Sequence, residues 1–486
     1  MVNRRSFKTD ESFLEKMAIG AAGTNRVFAD LTEQGHHPIE LERGSMNFKI
    51  WKQIKIKRVR VPDILCIACA RRVESRAKKT SFEISMSHSL ADPERGWDYG
   101  LDDNDFVALV ACKRVGERPI DWQADQLVQY ISVKELRAVQ ANEEVKIVKP
   151  KGAEEGFEAR IKWPAVIAKS PGIISTIKDN RIQYRRLDTN RTITLQKRPR
   201  LKPLVTIGET VSANQILAAD VDVTQGFICS QSASAAHYIA LLSSLSLSER
   251  YGAAKALSFF ESSDVSPALL RKIGEKDENI YVKLEAAAGL ARHNYKEGWA
   301  FIRECLKDHY LENRLEAVII LGEIVDDVSC QLIIDVLSDK EQHAEIRAGA
   351  AWALGELHNK AAFPALIQSF VAIEKSIRIE AARALAKLAA YYTPELVQQF
   401  PESTEDKRPG IAWALSKSHQ FTLDDLLGTL VDDDARHWVA YILGNQDQRA
   451  YTHKIEQLKH RDPEVYFAVT VLWKIMNNWV YNLEMY

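Results

Sequence analysis

The second half of the chain repeats itself, and this repetition limits the folds open to it more than any other feature. From Ser248 onward, a short apolar stretch ending in leucine recurs about every thirty residues. The aligned leucines are Leu257, Leu290, Leu321, Leu354, Leu385, Leu415, Leu443 and Leu472. A helix pair of this length buries its apolar face only against its neighbours. The repetition therefore predicts an all-α solenoid over residues 236–486.

The clearest copy of the repeat covers residues 345–357, with the sequence EIRAGAAWALGEL. This copy closely resembles the HEAT-like repeats of phycobilin-lyase type. The resemblance implies a curved stack of helix pairs that presents a large surface. We therefore expect the solenoid to bind a protein partner, or to help hold a substrate.

A column of basic residues accompanies the repeat. Seven of the eight units carry a base seven positions before the leucine. These are Arg250, Lys283, Arg314, Arg347, Arg378, Arg408 and Arg436. Such a column could grip a phosphate backbone. Acidic residues precede most of these positions, however, so we favour a ladder of ion pairs between repeats.

The first part of the chain, residues 1–155, has the pattern of a mixed α/β domain. Apolar residues at helical spacing predict a helix over Glu11–Gln34, with Gly20 and Gly23 indicating a close backbone approach or a break. Alternating or wholly apolar stretches predict strands. The predicted strands include Ile54–Lys57 with Val59–Val61, Val73–Lys78, Phe82–Met86 and Asp105–Cys112. Short helices are predicted at Trp122–Val128 and Val133–Ala138.

The middle of the chain, residues 156–235, is rich in strand and turn signals and predicts a small β-barrel domain. Residues 191–220 carry an Arg-Pro at Arg198, an apolar-Gly-acidic turn at Ile207, and a Gln-Ile-Leu-Ala from Gln215. This arrangement is similar to the barrel-sandwich hybrid segment of RNA polymerase large subunits. The resemblance supports a fold more than a function.

Charge is distributed unevenly along the chain, although the formal net charge is only −1. Residues 1–79 carry roughly eight more basic than acidic residues, and residues 162–230 roughly six more. A basic front predicts an anionic partner, of which nucleic acid is the commonest. The alternative is that the basic and acidic parts of the chain simply balance one another.

Cysteine usage and hydropathy predict a reduced, cytoplasmic location. The six cysteines are scattered, and the N-terminus has no apolar stretch typical of a secretion signal. No apolar run approaches the roughly 18 residues of a membrane span, so no membrane association is expected. Cys66 and Cys69 form one close pair. We interpret them as two half-buried thiols in a hairpin, because a zinc knuckle needs two further ligands.

Structural Zn²⁺ at this cysteine pair is the alternative interpretation. The nearby side chains that could complete such a site are His36, His37, His88 and Cys112.

Residues 58–88 contain the motif that indicates chemistry. A strand ends in Pro62-Asp63, and the next strand carries Glu74. With the preceding helix, this order resembles the PD-(D/E)XK nuclease superfamily. In that family an Asp and a Glu bind a divalent metal, usually Mg²⁺, and a Lys supports the nucleophile. Carried over, the resemblance implies that Asp63 and Glu74 bind Mg²⁺ or Mn²⁺.

The basic residue of the motif departs from the family pattern. Arg76 stands two positions after Glu74, where the family has Lys, and Lys78 follows two positions later. All three project from one face of an extended strand. We favour Lys78 because its ammonium is mobile, whereas arginine can only stabilise phosphate charge. A competing register would use Glu83, which has Ser85 in place of the base.

Acids are also missing from the part of the opening helix that often supplies one in this family. Residues 20–24 contain none, and Glu42 is the candidate substitute.

Taken together, these patterns predict a multidomain chain: an α/β nuclease-like domain, a small β-barrel and a HEAT-like solenoid. The predicted function is metal-dependent hydrolysis of nucleic acid, with DNA as the favoured substrate. The predicted catalytic residues are Asp63, Glu74 and Lys78, and the predicted nucleic-acid-binding residues are Lys55, Lys57, Arg58, Arg60 and Arg76. By analogy of fold, such chains suit antiviral defence and can act as homodimers.

The alternative function is a non-catalytic scaffold, built on a degenerate nuclease fold, that binds nucleic acid or protein. In that interpretation Pro62-Asp63 is a plain turn, and Glu74 and Arg76 form a surface ion pair.

Overall fold

The computed structural model describes residues 10–43, 59–79, 82–117, 120–149, 158–418, 421–445 and 456–471. They form two compact units, divided after Lys272. Within these ranges no helix is both long enough and apolar enough to cross a membrane.

The first unit is built from β-strands. They are β1 (Pro38–Glu40), β2 (Ile64–Cys66), β3 (Arg72–Lys78), β4 (Ser85–Ser89), β5 (Phe106–Arg114), β6 (Trp122–Ser132), β7 (Lys146–Val148), β8 (Glu158–Lys162), β9 (Ala165–Ile167), β10 (Gly172–Lys178), β11 (Arg181–Arg186), β12 (Thr192–Gln196), β13 (Lys202–Pro203), β14 (Thr210–Val211), β15 (Ile216–Ala219) and β16 (Val223–Thr224). The largest sheet has the order β1-β2-β3-β5-β6-β16. In this sheet β3 and β5 run parallel, and the other neighbours are antiparallel.

Helix α1 (Asp10–Glu33) packs on one face of this sheet. Its Val27 and Leu31 are fully buried with Val73 of β3 and Val110 of β5. The helix predicted from the sequence is therefore confirmed and continues through both glycines. Gly23 marks a close approach, because a Cβ atom there would lie 2.6 Å from the Cβ of Ala77.

The opposite face of the sheet carries a second apolar cluster. Leu109 of β5 and Ile131 of β6 are buried there with Ile84 and Trp163. Helix α2 (Val133–Ala141) covers this cluster with the fully buried Leu136, which confirms the short helix predicted at this position.

Two local predictions were wrong. Trp122–Val128 is not a helix but belongs to β6, which pairs with β5 from Arg114–Trp122 to Phe106–Ser132. Tertiary pairing with a buried neighbour has overridden the weak local preference of this polar stretch. Val59–Val61 is not a strand either. The companion segment Ile54–Lys57 lies outside the described residues.

The middle of the chain is confirmed as β-rich. One sheet has the order β12-β11-β10-β14 and another the order β13-β15-β9. Both contribute to one core that contains Val166, Ile174, Tyr184, Val211 and Leu217. A third sheet, β4-β8-β7, adjoins the apolar cluster under the main sheet through Met86 and Ile161.

After β16 the chain stays in contact with residues that follow α1. Gln34, just after α1, donates to the carbonyl oxygen of Gln225 at 3.1 Å. Helices α3 (Ala235–Leu241), α4 (Leu247–Leu257) and α5 (Val265–Gly274) follow. Tyr238 of α3 donates its hydroxyl to the carbonyl oxygen of Ile67 at 3.0 Å, which ties this helix to the end of β2.

The second unit is helical. It contains α6 (Ile280–Arg292), α7 (Lys296–Cys305), α8 (Leu311–Leu321), α9 (Asp327–Ser338), α10 (Ala344–Leu357), α11 (Phe363–Gln368), α12 (Lys375–Glu402, interrupted at Tyr392), α13 (Arg408–Leu415), α14 (Leu423–Leu427) and α15 (Asp433–Gly444). Residues 456–461 and 463–471 are also helical. The aligned leucines from Leu321 to Leu443 are all fully buried in one continuous core, as the predicted solenoid requires, and Leu290 is fully buried as well.

The predicted ladder of ion pairs is confirmed at three positions of the second unit. Arg408 contacts Asp432 at 2.7 Å, and Arg436 contacts Asp462 at 3.3 Å. Arg347 lies 3.8 Å from Glu374. In each case the base reaches an acid that begins the following repeat, so these bases stabilise the stacking of repeats.

Candidate functional site

Asp63 lies in a bend immediately before β2, where the sequence predicted the first acid of the motif. The antiparallel register of β2 and β3 pairs Ile64 with Val73 and so brings Asp63 beside Glu74. The backbone N–H of Ser75 donates to Oδ2 of Asp63 at 2.8 Å. This hydrogen bond from β3 orients the carboxylate of Asp63, and the residue is only 7% exposed.

Burial and repulsion disfavour negative charge on the acid pair, Asp63 and Glu74. Burial raises the pKa of Asp63 well above its usual range, and the negative charges of Glu74 and Glu42 raise it further. Burial also raises the pKa of Glu74, although Arg76 opposes this shift. Buried acids with raised pKa values are concentrated at functional sites, because a protein rarely retains such a cost elsewhere.

Arg76 is the basic residue that lies beside the acid pair. Its Nη2 contacts Oε1 of Glu74 at 3.0 Å. Val73 and Ala77 of β3 pack toward α1, so Glu74, Arg76 and Lys78 project from the other face of the sheet. Arg76 is about one-third exposed and can therefore reach a bound anion.

Lys78 lies farther along the same strand, about 13 Å from Glu74 in Cα spacing. Its Nζ donates to the carbonyl oxygen of Ser85 and to its Oγ, the latter at 3.3 Å. Burial, helped by the positive charge of Arg76, lowers the pKa of Lys78 to about 7. The structure thus brings Asp63, Glu74 and Arg76 together, whereas Lys78 is directed to Ser85.

The competing acid Glu83 is engaged elsewhere. Its Oε2 lies 2.8 Å from Nζ of Lys162 on β8. On the helix, Glu15 forms an ion pair with Lys79 at 3.1 Å. The negative charge of Glu42 raises the pKa of Asp63, after the larger effects of burial and of Glu74.

The predicted nucleic-acid-binding residues are only partly described. Lys55, Lys57 and Arg58 lie outside the described residues. Arg60 is exposed, and its Nη1 donates to the carbonyl oxygen of Glu94 at 2.6 Å. Arg60 and Arg76 are therefore the members of the predicted set whose positions can be stated.

A second group of potential metal ligands lies at the opposite end of β2. Over the described ranges, one set of at least three His, Cys, Asp or Glu side chains has ligand atoms close enough to share an ion. This set is His36, Cys66, Cys69 and Cys229. The sequence pointed to His36, Cys66 and Cys69 but missed Cys229, which is distant in the chain and belongs to no motif.

The two thiols of the Cys-x-x-Cys interact directly. A hydrogen bond from the Cys69 thiol, together with the backbone N–H of His37, lowers the pKa of Cys66 to about 4. The same bond and burial raise the pKa of Cys69. Both cysteines are buried at the turn between β2 and β3, rather than half-buried as expected from the sequence.

Comparisons with known proteins identify the repeats. Residues 268–343 match the family model of HEAT repeats, and residues 346–371 match that of the PBS lyase HEAT-like repeat. No curated protein matches the chain.

Among solved structures, the chain is similar to the complex of CpcE and CpcF of phycocyanin lyase from Nostoc sp. PCC7120. The identity is 18% over 49% of this chain and 93% of that chain, with a TM-score of 0.25. It is also similar to human deoxyhypusine hydroxylase, with 15% identity over 46% and 85% of the two chains and a TM-score of 0.20. The family models show that the C-terminal half of the chain carries HEAT-like repeats.

Proposed function

We propose that the first unit is a metal-dependent nuclease whose centre is the acid pair Asp63 and Glu74. The observation that carries the proposal is that the buried carboxylate of Asp63 and the half-buried carboxylate of Glu74, both with raised pKa values, lie side by side where β2 begins beside β3. A divalent cation would relieve their repulsion, and oxygen ligands of this kind suit Mg²⁺ and Mn²⁺.

Each residue of the site has a distinct task in this proposal. Asp63, oriented by the N–H of Ser75, and Glu74 would hold the cation, and the chemistry it would supply there is polarisation of a phosphate and activation of a water. Arg76 presents a planar fork that can bind phosphate oxygens and stabilise negative charge as it develops. Lys78, with its pKa near neutrality, can exist in both protonation states at physiological pH.

The proposal is tested by incubating the full chain with single- and double-stranded DNA and with RNA, in Mg²⁺, Mn²⁺ or a chelator. We expect metal-dependent cleavage that falls by about 100-fold or more in Asp63→Asn and Glu74→Gln, equivalent to about 2.7 kcal/mol. The matched control is Glu83→Gln, an acid of the same region paired with Lys162. Equal cleavage by all four proteins would overturn the proposal.

A second candidate function is a non-catalytic scaffold. Two contacts favour it: Arg76 already neutralises Glu74, and Lys78 is already bound to Ser85. A scaffold would bind nucleic acid without cleaving it. Binding that survives a chelator and the Asp63→Asn change, in the absence of any cleavage, would support this function over the first.

For the HEAT-like repeats we propose a role in binding a protein partner. Repeats of this kind are stabilised by contacts between neighbours, which leaves an extended surface for recognition. Isolation of the full chain from its own cells after crosslinking, compared with a chain ending at Lys272, tests this role. Partners recovered equally with both chains would not bind the repeats.

A further inference from the structure

We propose that His36, Cys66, Cys69 and Cys229 together bind a structural zinc ion. One ligand atom from each of these residues lies within 4.8 Å of all the others. His36, Cys66 and Cys69 are buried, and Cys229 is half-buried, so the group is a compact interior cluster. Three thiols and one imidazole form a ligand set that zinc prefers in structural sites.

The distances within this cluster fit a tetrahedron. Zinc–sulfur bonds of about 2.3 Å at tetrahedral angles place two sulfur atoms about 3.8 Å apart. The Sγ atoms of Cys66 and Cys229 are separated by 3.8 Å. Sγ of Cys69 and Nδ1 of His36 are separated by 3.7 Å. A tetrahedral zinc ion with a nitrogen ligand at about 2.05 Å requires a sulfur–nitrogen separation of about 3.6 Å. Two independent edges of the cluster are therefore close to the lengths that bound zinc requires.

Hydrogen bonds from neighbouring groups orient the cluster's side chains as ligands for a cation. Nε2 of His36 lies 2.9 Å from the carbonyl oxygen of Phe227 and can donate its proton there. That hydrogen bond leaves the lone pair of Nδ1 directed at the cluster, as in metal-bound histidines. The backbone N–H of His37 donates to Sγ of Cys66 at 3.3 Å and would stabilise a thiolate ligand.

The turn that carries the first two cysteines, residues 66–70, is closed by a backbone hydrogen bond. Ala70 adopts a left-handed conformation with φ of 58°, and its N–H donates to the carbonyl oxygen of Cys66 at 2.9 Å. This turn folds Cys69 back toward Cys66. A non-glycine residue with positive φ is uncommon and indicates that the surrounding contacts enforce the turn.

The role of such an ion is to join three segments that are distant in the chain. His36 precedes β1, Cys66 is the last residue of β2 with Cys69 in the turn that follows, and Cys229 comes after β16. With four protein ligands the coordination shell is closed, which is typical of structural rather than catalytic zinc. The site does not depend on the nuclease proposal, although Asp63 stands only three residues before Cys66.

The test is elemental analysis of the full chain, purified without chelator or added metal. We expect about one zinc ion per chain, as in a closed four-ligand site. His36→Ala and Cys229→Ala should lose the zinc, whereas Cys112→Ala, a buried cysteine outside the cluster, should retain it. Replacement of zinc by Co²⁺ should produce a sulfur-to-cobalt charge-transfer band and intense tetrahedral absorption.

One further variant separates a ligand from a packing residue. His36→Cys would create a four-cysteine site, so it should retain zinc and shift the cobalt spectrum, whereas a packing role would make it as damaging as His36→Ala. Iron in place of zinc would overturn the assignment. So would a disulfide between Cys66 and Cys229 in the isolated protein, or equal zinc loss from Cys112→Ala.

Discussion

Sγ of Cys66 and Sγ of Cys229 lie 3.8 Å apart, although 163 positions separate the two residues in the chain. The segment around Cys229 packs against the first sheet through Phe227. Its ring stacks on Phe106 at 4.1 Å between centroids, and its carbonyl oxygen faces His36. The β-rich middle region is therefore enclosed by contacts between residues that precede and follow it.

Phe227→Ala should weaken this closure. Loss of a half-buried ring that also stacks on Phe106 should lower the free energy of unfolding by about 2–3 kcal/mol. Urea denaturation monitored by hydrogen exchange of the first-unit peptides measures the loss. Phe259→Ala is the control, because that ring is 50% exposed and its removal should have little effect. An equal loss in both variants would contradict the importance of the Phe227 contact.

The two glycines of α1 should respond in opposite directions to alanine. A methyl group added at Gly20 would meet no described atom within 4 Å beyond its own helix backbone, so Gly20→Ala should stabilise the helix by about 0.5–1 kcal/mol. At Gly23 the new methyl would overlap Ala77 of β3, so Gly23→Ala should destabilise the unit by about 1–3 kcal/mol. Thermal unfolding of the two variants compares them directly, and stabilisation by both would show that α1 packs differently.

Without a divalent cation, Asp63→Asn should make the first unit more stable at neutral pH. Because the folded-state pKa of Asp63 is raised, the contribution of Asp63 to stability is greatest below its unfolded pKa of about 3.9 and is lost as pH rises through the folded pKa. At neutral pH, each tenfold increase in the proton affinity of folded Asp63 lowers the free energy of unfolding by about 1.4 kcal/mol. The neutral side chain of the Asp63→Asn variant does not have this cost.

Hydrogen exchange of peptides from β2 and β3 at pH 4 and pH 8 measures this difference. The variant should gain stability over the wild type at pH 8 and little at pH 4, and Mg²⁺ should stabilise only the wild type. A variant that is less stable than the wild type at both pH values would show that the charge of Asp63 does not destabilise the folded state.

If the first unit cleaves nucleic acid, Arg76 should matter more than Lys78. Arg76 contacts Glu74 at 3.0 Å, whereas Lys78 is bound to Ser85 farther along β3. We expect Arg76→Gln to reduce the cleavage rate by about 100-fold and Lys78→Gln by about tenfold or less. Single-turnover rates at saturating Mg²⁺ measure both, and the reverse order would support Lys78 as the basic residue of the catalytic site.

In the second unit, the more deeply buried ion pair between repeats should contribute more to thermal stability. The Arg408 side chain is only 5% exposed and contacts both Asp432 and Asp434, whereas that of Arg436 is 38% exposed. Arg408→Ala should lower the midpoint of thermal unfolding by about 2–4 °C, and Arg436→Ala should leave it almost unchanged. Equal effects would indicate that solvent does not screen the outer pair.

The sequence was most informative where one local pattern determines the structure. The period of the leucines predicted the repeats, and the spacing of apolar residues predicted α1 almost to the residue. It was least informative where distant partners decide. The polar stretch from Trp122 became a strand because β5 lies beside it, and Cys229 gave no local signal because its partners lie far earlier in the chain.

The candidate site shows the same division. The alternation of β3 correctly placed Glu74, Arg76 and Lys78 on one face. The spacing did not predict which basic residue lies beside the acids. Lys78 is bound to Ser85 of β4, so Arg76 is the residue that contacts Glu74.

The position of β16 has a consequence for synthesis on the ribosome. The main sheet receives its last strand at Val223–Thr224, and that strand pairs with β6, which ended at Ser132. The outer edge of β6 therefore stays unpaired until the whole middle region has been translated. Closing so long a loop is slow compared with forming local helices. A chaperone that shields β6 during this interval would act before any repeat of the solenoid has emerged.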